Sequence, residues 1–287
     1  MENILTREDF VSLKLNEGII PDFILEKLQN NLVGKIDYTL LKPEATEDQI
    51  LELCAKADKL GVKSVCVLPK MVKVAKEALK DSKVLVCTVI SFPHGTDSTG
   101  DKIREARGCI SDGADECDMV LNYPDLKKVG VKIPEEGNMV NFYDENPQFL
   151  PFIEDVESLV MLCHKHTNKD GDPVTLKVIV ESGLLSSDET AMATYICLDG
   201  SADFIKTSTG MVPIGAELDK VQIMKKIIED EYNNEHVGIK MKIKASGGIR
   251  TLEDLQKFNP LVDRFGVGFA AVDKIFGDGG DVVLGSY

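Results

Sequence analysis

The sequence predicts a single α/β domain folded as a (β/α)8 barrel of the TIM type, and three observations carry that expectation. Eight short β-rich runs recur along the chain, amphipathic helical stretches separate them, and no proline- or serine-rich linker divides the 287 residues. One core of that length is ordinary for such a barrel. An open doubly wound sheet usually has fewer strands and a G-x-G-x-x-G turn after its first strand, which this chain lacks.

Taken in order, residues 1–33 read as a helical extension, clearest from Pro21 to Asn31. The predicted strands are then "KIDYTLL", "KSVCVLP", "KVLVCTVI", "ECDMVLNY", "TLKVIVE", "ADFIKTS", "KMKIKAS" and "DRFGVGF". Between the first two, "TEDQILELCAKADKLG" has a helical period, with Thr46 as N-cap and Gly61 as a C-terminal stop. The stretch "DKIREARGCISDGA" repeats the pattern and ends near Gly113. Residues 125–152 show no clear period and are expected to form a long loop; because they follow the fourth strand, they are expected over the C-terminal face, where barrel enzymes keep their chemistry. The glycine-rich residues 277–287 read as a flexible tail.

Composition narrows the function. A net charge of -15 and a pI near 4.8 speak against a nucleic-acid partner, which normally requires a basic patch. No stretch approaches the ~18 apolar residues of a membrane span, and the first residues lack a secretory pattern, so a cytoplasmic protein is expected. The seven cysteines are scattered without C-x-x-C pairs and read as reduced core thiols. The only histidines are His94, His164, His166 and His236, which form no cluster at metal-ligand spacing, so neither a metal nor another cofactor is expected.

Strand parity then gathers polar groups on shared faces, since alternate residues point the same way. Lys206 goes with Phe204 and Ser208, Asp118 with Glu116, Val120 and Asn122, and Asp37 with Thr39. Lys244 enters the barrel only if Lys242 points the same way, deeper down. Lys206 and Lys244 close adjacent strands; either they escape to solvent, as most strand-end lysines do, or they are used. Two ammonium groups about 4 Å apart repel by roughly 4 kcal/mol at an effective dielectric of ~20, enough to leave one amine neutral. A neutral amine attacks a carbonyl to form a Schiff base, and Asp118 is placed to shuttle protons at the carbinolamine and the substrate hydroxyl.

The ordered motifs "IDYTLLKPEAT", "SVCVLP", "TVISFPHG", "GADECDMVLNY", "LKVIVESG", "GADFIKTSTG" and "KASGGIRT" closely resemble those of the deoxyribose-phosphate aldolase family over most of the chain. The resemblance implies reversible cleavage of 2-deoxyribose 5-phosphate into acetaldehyde and glyceraldehyde 3-phosphate. It implies Lys206 as the Schiff-base lysine, Lys244 as the lysine that depresses its proton affinity, and Asp118 as the proton relay. Thr39 and Thr209, with Asp37 and Cys66, fall among substrate-pocket positions. Gly210, Gly247, Gly248, Arg250 and Gly268 fall in the phosphate site, and Tyr287 matches a terminal tyrosine that assists proton transfer in some members. A small aldehyde or sugar phosphate is the implied partner, and a homo-oligomer, dimer or tetramer, the implied assembly. Two departures stand out: Met211 replaces a lysine common after "TSTG", and Val267, Gly268 and Phe269 replace a hydroxyl-bearing turn. They leave open a lysine aldolase acting on an unphosphorylated or differently substituted aldehyde. A barrel that only binds ligand is the further alternative, opposed by the joint presence of Lys206, Lys244 and Asp118.

Overall fold

Each of the eight β-rich runs forms one strand: β1 (Ile36–Leu40), β2 (Ser64–Val67), β3 (Leu85–Ile90), β4 (Glu116–Val120), β5 (Thr175–Ile179), β6 (Phe204–Lys206), β7 (Lys242–Ser246) and β8 (Arg264–Gly268). In the computed structural model, which describes residues 32–130, 139–234 and 240–276, every neighbouring pair is parallel and β8 returns to β1. The closed (β/α)8 barrel is therefore the expected fold. Residues 1–31 of the expected helical extension and the tail 277–287 lie outside the described residues.

The helices on the outside are α1 (Glu47–Leu60), α2 (Val72–Ala78), α3 (Thr99–Ser111), α4 (Tyr123–Val129), α5 (Met139–Glu145), α6 (Leu150–Cys163), α7 (Ser187–Asp199), α8 (Leu218–Asn233), α9 (Leu252–Phe258) and α10 (Phe269–Phe276). At the start of α1 the Thr46 hydroxyl accepts from the Gln49 N–H, while the Gln49 side chain accepts from the Thr46 N–H, a reciprocal capping box. Gly61 ends the helix at φ 72°, a left-handed conformation that costs glycine nothing. Ser98 caps α3 by accepting from the Asp101 N–H at 3.2 Å, without a reciprocal bond to its own N–H.

Period-two alternation sends Ile36, Tyr38, Val65, Val86, Cys117, Leu176, Ile205, Ile243 and Phe265 outward, where they join the helices in one continuous apolar layer. The inward positions divide. On β2 and β3, Cys66, Cys87 and Val89 make a small apolar cluster with Leu41. On the other strands charged side chains stand among the inward positions. All seven cysteines are buried free thiols, in line with their scattered spacing.

One expectation changes. Residues 125–152 are not a uniform loop: α4 and α5 are single short helices, and a 3-10 turn spans Pro147–Phe149. Seven-residue helices are too short to print a period, and their signals are local ones, such as Asn122 accepting from the Asp125 N–H and Pro124 in the first turn of α4. Phe142 stacks on the buried Phe149, and the Tyr143 hydroxyl donates to Asp199 at 2.6 Å, so this part belongs to the outer helical layer at the C-terminal end of α7 rather than to the mouth. Lys242 points the same way as Lys244, one layer deeper, as parity requires; it opens β7 at the solvent-exposed bottom of the barrel and lies 5.5 Å from the centre of the Phe204 ring. Among the described residues no helix is long and apolar enough to cross a membrane.

Candidate active site

Four consecutive strands each aim one cation into the barrel: Lys177 from β5, Lys206 from β6, Lys244 from β7 and Arg264 from β8. Three carboxylates face them, Asp37 from β1 and Glu116 and Asp118 from β4. All seven are buried. A buried charge is tolerable only when paired and hydrogen-bonded, and here each has partners. Arg264 donates to Asp37 and Glu116, and Ser64 donates to Asp37 at 2.7 Å. Lys177 donates to Glu116 Oε2 at 2.7 Å and Asp118 Oδ1 at 2.9 Å. Lys244 Nζ lies 2.5 Å from Asp37 Oδ2, a contact of charge without hydrogen-bond alignment.

Asp118 is the hub. Lys206 and Lys244 donate to the same oxygen, Oδ2, at 2.8 and 2.7 Å, while Lys177 and the Cys87 thiol take Oδ1. The parity argument thus brings Lys206, Lys244 and Asp118 together, and Asp37, Glu116, Lys177 and Arg264 come with them. Burial works to raise the Asp118 carboxyl, yet Lys177, Lys206 and Lys244 together hold it well below the usual carboxylate range. Asp37 and Glu116 are lowered in the same way, burial being outweighed by Arg264 and Lys177, with Lys244 adding to the effect on Asp37. For Lys177 and Lys244 burial pulls down, and the carboxylates more than reverse it. Lys206 sits at the open end of this cluster and touches one carboxylate; each of the other cations touches at least two.

Cys66 lies beside the hub, and its hydrogen bond with Cys87 lowers its proton affinity, although burial opposes this. Donor atoms of Cys66, Cys87 and Asp118 all fall within 4.8 Å of one another. The set does not suit a cation, because both Asp118 oxygens already accept from ammonium groups. Asp37 lies deep in the charge cluster. Thr39 is half-buried above it, donates to the Asp37 carbonyl at 2.9 Å, and pairs in register with Gly268.

Above Lys206 the chain turns through Gly210, while Gly247 and Gly248 follow β7; all three have φ near +80°. A Cβ built on Gly247 would stand 3.3 Å from Ser208 Cβ and 3.7 Å from Gly210 Cα, so the two glycine turns are adjacent. Left-handed glycines leave their backbone open to an anion. Arg250 is exposed nearby in sequence, its N–H donating to Asp254 at 2.9 Å. Met211 is half-exposed. Phe269 does not fill the mouth: its ring stacks on the outward-facing Tyr38, centroids 5.5 Å apart, with Lys56 over its face. Tyr287 lies outside the described residues.

The sequence reading missed Lys177, Arg264 and Glu181, although parity was available for the first two. In "TLKVIVE" Lys177 shares its inward face with Ile179, and in "DRFGVGF" Arg264 shares its face with Gly266 and Gly268. Glu181 is fully buried and accepts from the Thr209 hydroxyl and N–H.

Comparison with known proteins agrees with this architecture. No protein-family model matches the chain. The deoxyribose-phosphate aldolase of Staphylococcus carnosus is 40% identical over 228 residues, 79% of this chain and 86% of that protein. The deoxyribose-phosphate aldolase of Caldicellulosiruptor saccharolyticus is 42% identical over 219 residues, 76% of this chain and 85% of that one. Among solved structures, the tetrameric deoxyribose phosphate aldolase of Aeropyrum pernix shares the fold, with a TM-score of 0.68 at 23% identity over 93% of this chain and 96% of that one. With relatives of this similarity over three quarters of its length, the chain belongs to the deoxyribose-phosphate aldolase family of lyases.

Proposed function

We propose that the protein reversibly cleaves 2-deoxy-D-ribose 5-phosphate into acetaldehyde and D-glyceraldehyde 3-phosphate through an imine on Lys206. The observation that carries this reading is that Lys206 and Lys244 share a single oxygen of Asp118 inside a closed barrel. Four cations there face three carboxylates, so release of one proton balances the cluster. Lys206, with one carboxylate partner and a place at the open end, is the amine from which that proton leaves.

The free amine attacks the open-chain aldehyde. Asp118, in hydrogen-bond contact with that nitrogen, exchanges protons as the carbinolamine forms and loses water. The resulting iminium accepts the electron pair of the breaking C–C bond and becomes an enamine, whose protonation and hydrolysis release acetaldehyde. Thr39, Thr209 and Cys66 line the substrate, Asp37 anchors Lys244 beneath it, and Gly210, Gly247, Gly248, Gly268 and Arg250 receive the phosphate. Tyr287 is assigned to protonation at the acetaldehyde carbon. The chemistry needs no metal or other cofactor. The protein is assigned to the cytoplasm as a homo-oligomer, dimer or tetramer, with a small aldehyde or sugar phosphate and no nucleic acid as its partner.

A second reading, with an unphosphorylated or differently substituted aldehyde as substrate, is favoured by the half-exposed thioether of Met211, which can donate no hydrogen bond to an anion. The deciding experiment is reduction with borohydride in the presence of acetaldehyde, followed by peptide mass spectrometry. The adduct is expected on Lys206 and absent from Lys206→Ala; an adduct confined to Lys244 would reverse the two roles. Turnover of 2-deoxyribose with and without its phosphate separates the two substrates.

A further inference from the structure

Among the described residues three besides glycine have a positive φ, Ser91, Glu181 and Ser201; Glu181, just past the end of β5, is held in the left-handed region at φ 52° and ψ 51°. Such a conformation persists only where the surroundings enforce it, and such residues cluster at working sites. The enforcement is visible: the Val180 N–H donates to the Lys206 carbonyl at 3.0 Å, and the Ser182 N–H donates to the Thr207 carbonyl at 2.8 Å. These two bonds pin Glu181 against the end of β6 and turn its carboxylate onto Thr209. The side chain is fully buried.

The hydrogen bonds around Thr209 have a direction. Its hydroxyl donates to Glu181 Oε2, and its oxygen accepts from the Met211 N–H at 3.0 Å. A hydroxyl has one proton and two lone pairs. The proton and one lone pair are committed, so a single lone pair is left. Thr209 therefore offers a substrate an acceptor, never a donor, and the substrate group that suits it is a hydroxyl.

We propose that Thr209 takes the proton of the substrate hydroxyl as the C–C bond breaks, and that Glu181 is the positioning residue that orients Thr209 and receives the proton in turn. The inference rests on the imine reading above. In cleavage the bond between the two carbons breaks and its electron pair moves into the iminium. The hydroxyl oxygen becomes the carbonyl oxygen of the departing aldehyde. Its proton passes to Thr209 Oγ1 while the Thr209 proton passes to Glu181, which ends as a carboxylic acid; addition runs the same steps backwards.

The division of labour follows from the two environments. Asp118 is enclosed by ammonium groups and thiol, with both oxygens occupied. Glu181 is pushed the other way: burial raises its proton affinity, and the bonds from Thr209 and the charge of Lys206 only partly offset that. Two carboxyl groups driven apart in this manner are suited to opposite tasks. The titratable groups facing Glu181 are Lys206 from β6 and Tyr123 at the start of α4.

The test compares cleavage of 2-deoxyribose 5-phosphate with borohydride trapping of acetaldehyde, which forms the imine but breaks no C–C bond. Glu181→Gln keeps an acceptor for Thr209 and loses the charge. Its kcat for cleavage is expected to fall about 10²-fold or more, and trapping by far less. The acid limb of the pH profile, where cleavage rises as Glu181 ionises, is expected to disappear. Thr209→Val should match that loss, Thr209→Ser should recover most of it, and the Glu181→Gln/Thr209→Val pair should be no worse than the weaker single variant. Cleavage within threefold of the unaltered protein, losses that multiply in the double variant, or trapping that falls in step with cleavage would overturn the proposal. If Glu181→Gln does not fold, the Thr209→Val and Thr209→Ser comparison decides alone. No adduct on Lys206 in the unaltered protein overturns the imine reading, and this inference with it.

Discussion

Replacing Lys177 with methionine removes a charge from beneath the mouth while keeping nearly the same side-chain length. Lys177 is fully buried, with Nζ 2.7 Å from Glu116, 2.9 Å from Asp118 and 3.9 Å from Asp37. Removing one partner of a buried ion pair costs about 3–5 kcal/mol, because the remaining charge is left uncompensated. Two hydrogen-bonded carboxylates lose a donor here, so the upper part of that range applies. With an unfolding entropy of about 2.1 cal/mol/K per residue, a chain of 287 residues loses about 7–8 °C in Tm for that upper part, about 4–5 kcal/mol. The folded-state affinity of Lys177 for its proton is raised, so its contribution is fully present below its unfolded value near 10.5 and is lost only as pH rises through the folded one. Calorimetry at neutral pH therefore reads the whole effect. Adding Glu116→Gln removes one stranded anion, so the double variant should be more stable than the sum of the two single losses, by about 1–3 kcal/mol. A Tm unchanged within ~2 °C, or strict additivity, would refute the view that these charges form one unit.

Two further outcomes are expected. Asp37, Glu116 and Asp118 all have folded-state values below their unfolded ones, so their contribution is present above about pH 4–5 and is lost as pH falls through the folded values; denaturant midpoints that stay flat from pH 7 to pH 3 would contradict this. Met211→Lys should raise kcat/KM for the phosphorylated over the free sugar by about tenfold, the low end for a charge-assisted bond at a half-exposed position. Gly268→Ser should add to it, since a Cβ there meets nothing within 4 Å. An unchanged ratio in both variants would mean that Arg250 and the glycine turns hold the phosphate without help.

The barrel was legible because each strand is short, β-rich and bounded by turn residues, and because Thr46 and Gly61 mark the two ends of α1 in a pattern that follows from backbone chemistry. Lys206, Lys244 and Asp118 were legible by parity. Lys177 and Arg264 follow the same parity but stand two residues into β5 and at the first position of β8, where a lysine or arginine reads as a strand-end charge. Only the register across six strands reveals that they meet carboxylates rather than water. Lys242 is the converse case, sharing parity with Lys244 but standing where the barrel opens to solvent. Glu181 was hidden for another reason: its role depends on a left-handed backbone that glutamate gives no sign of adopting.

The ion pair between Asp37 and Arg264 joins the first strand to the last across 227 positions of sequence. Closure on that scale is expected to come late in folding, because its entropic cost must be met before its own contacts form. Until β8 docks on β1, Asp37 and Glu116 lack the guanidinium they share, and the wall that carries Lys206 has no fixed curvature. Catalytic competence is therefore expected to appear in a single final step of refolding, behind the recovery of helical signal. Trapped acetaldehyde would then measure ring closure itself, one covalent mark for each molecule that has completed its barrel.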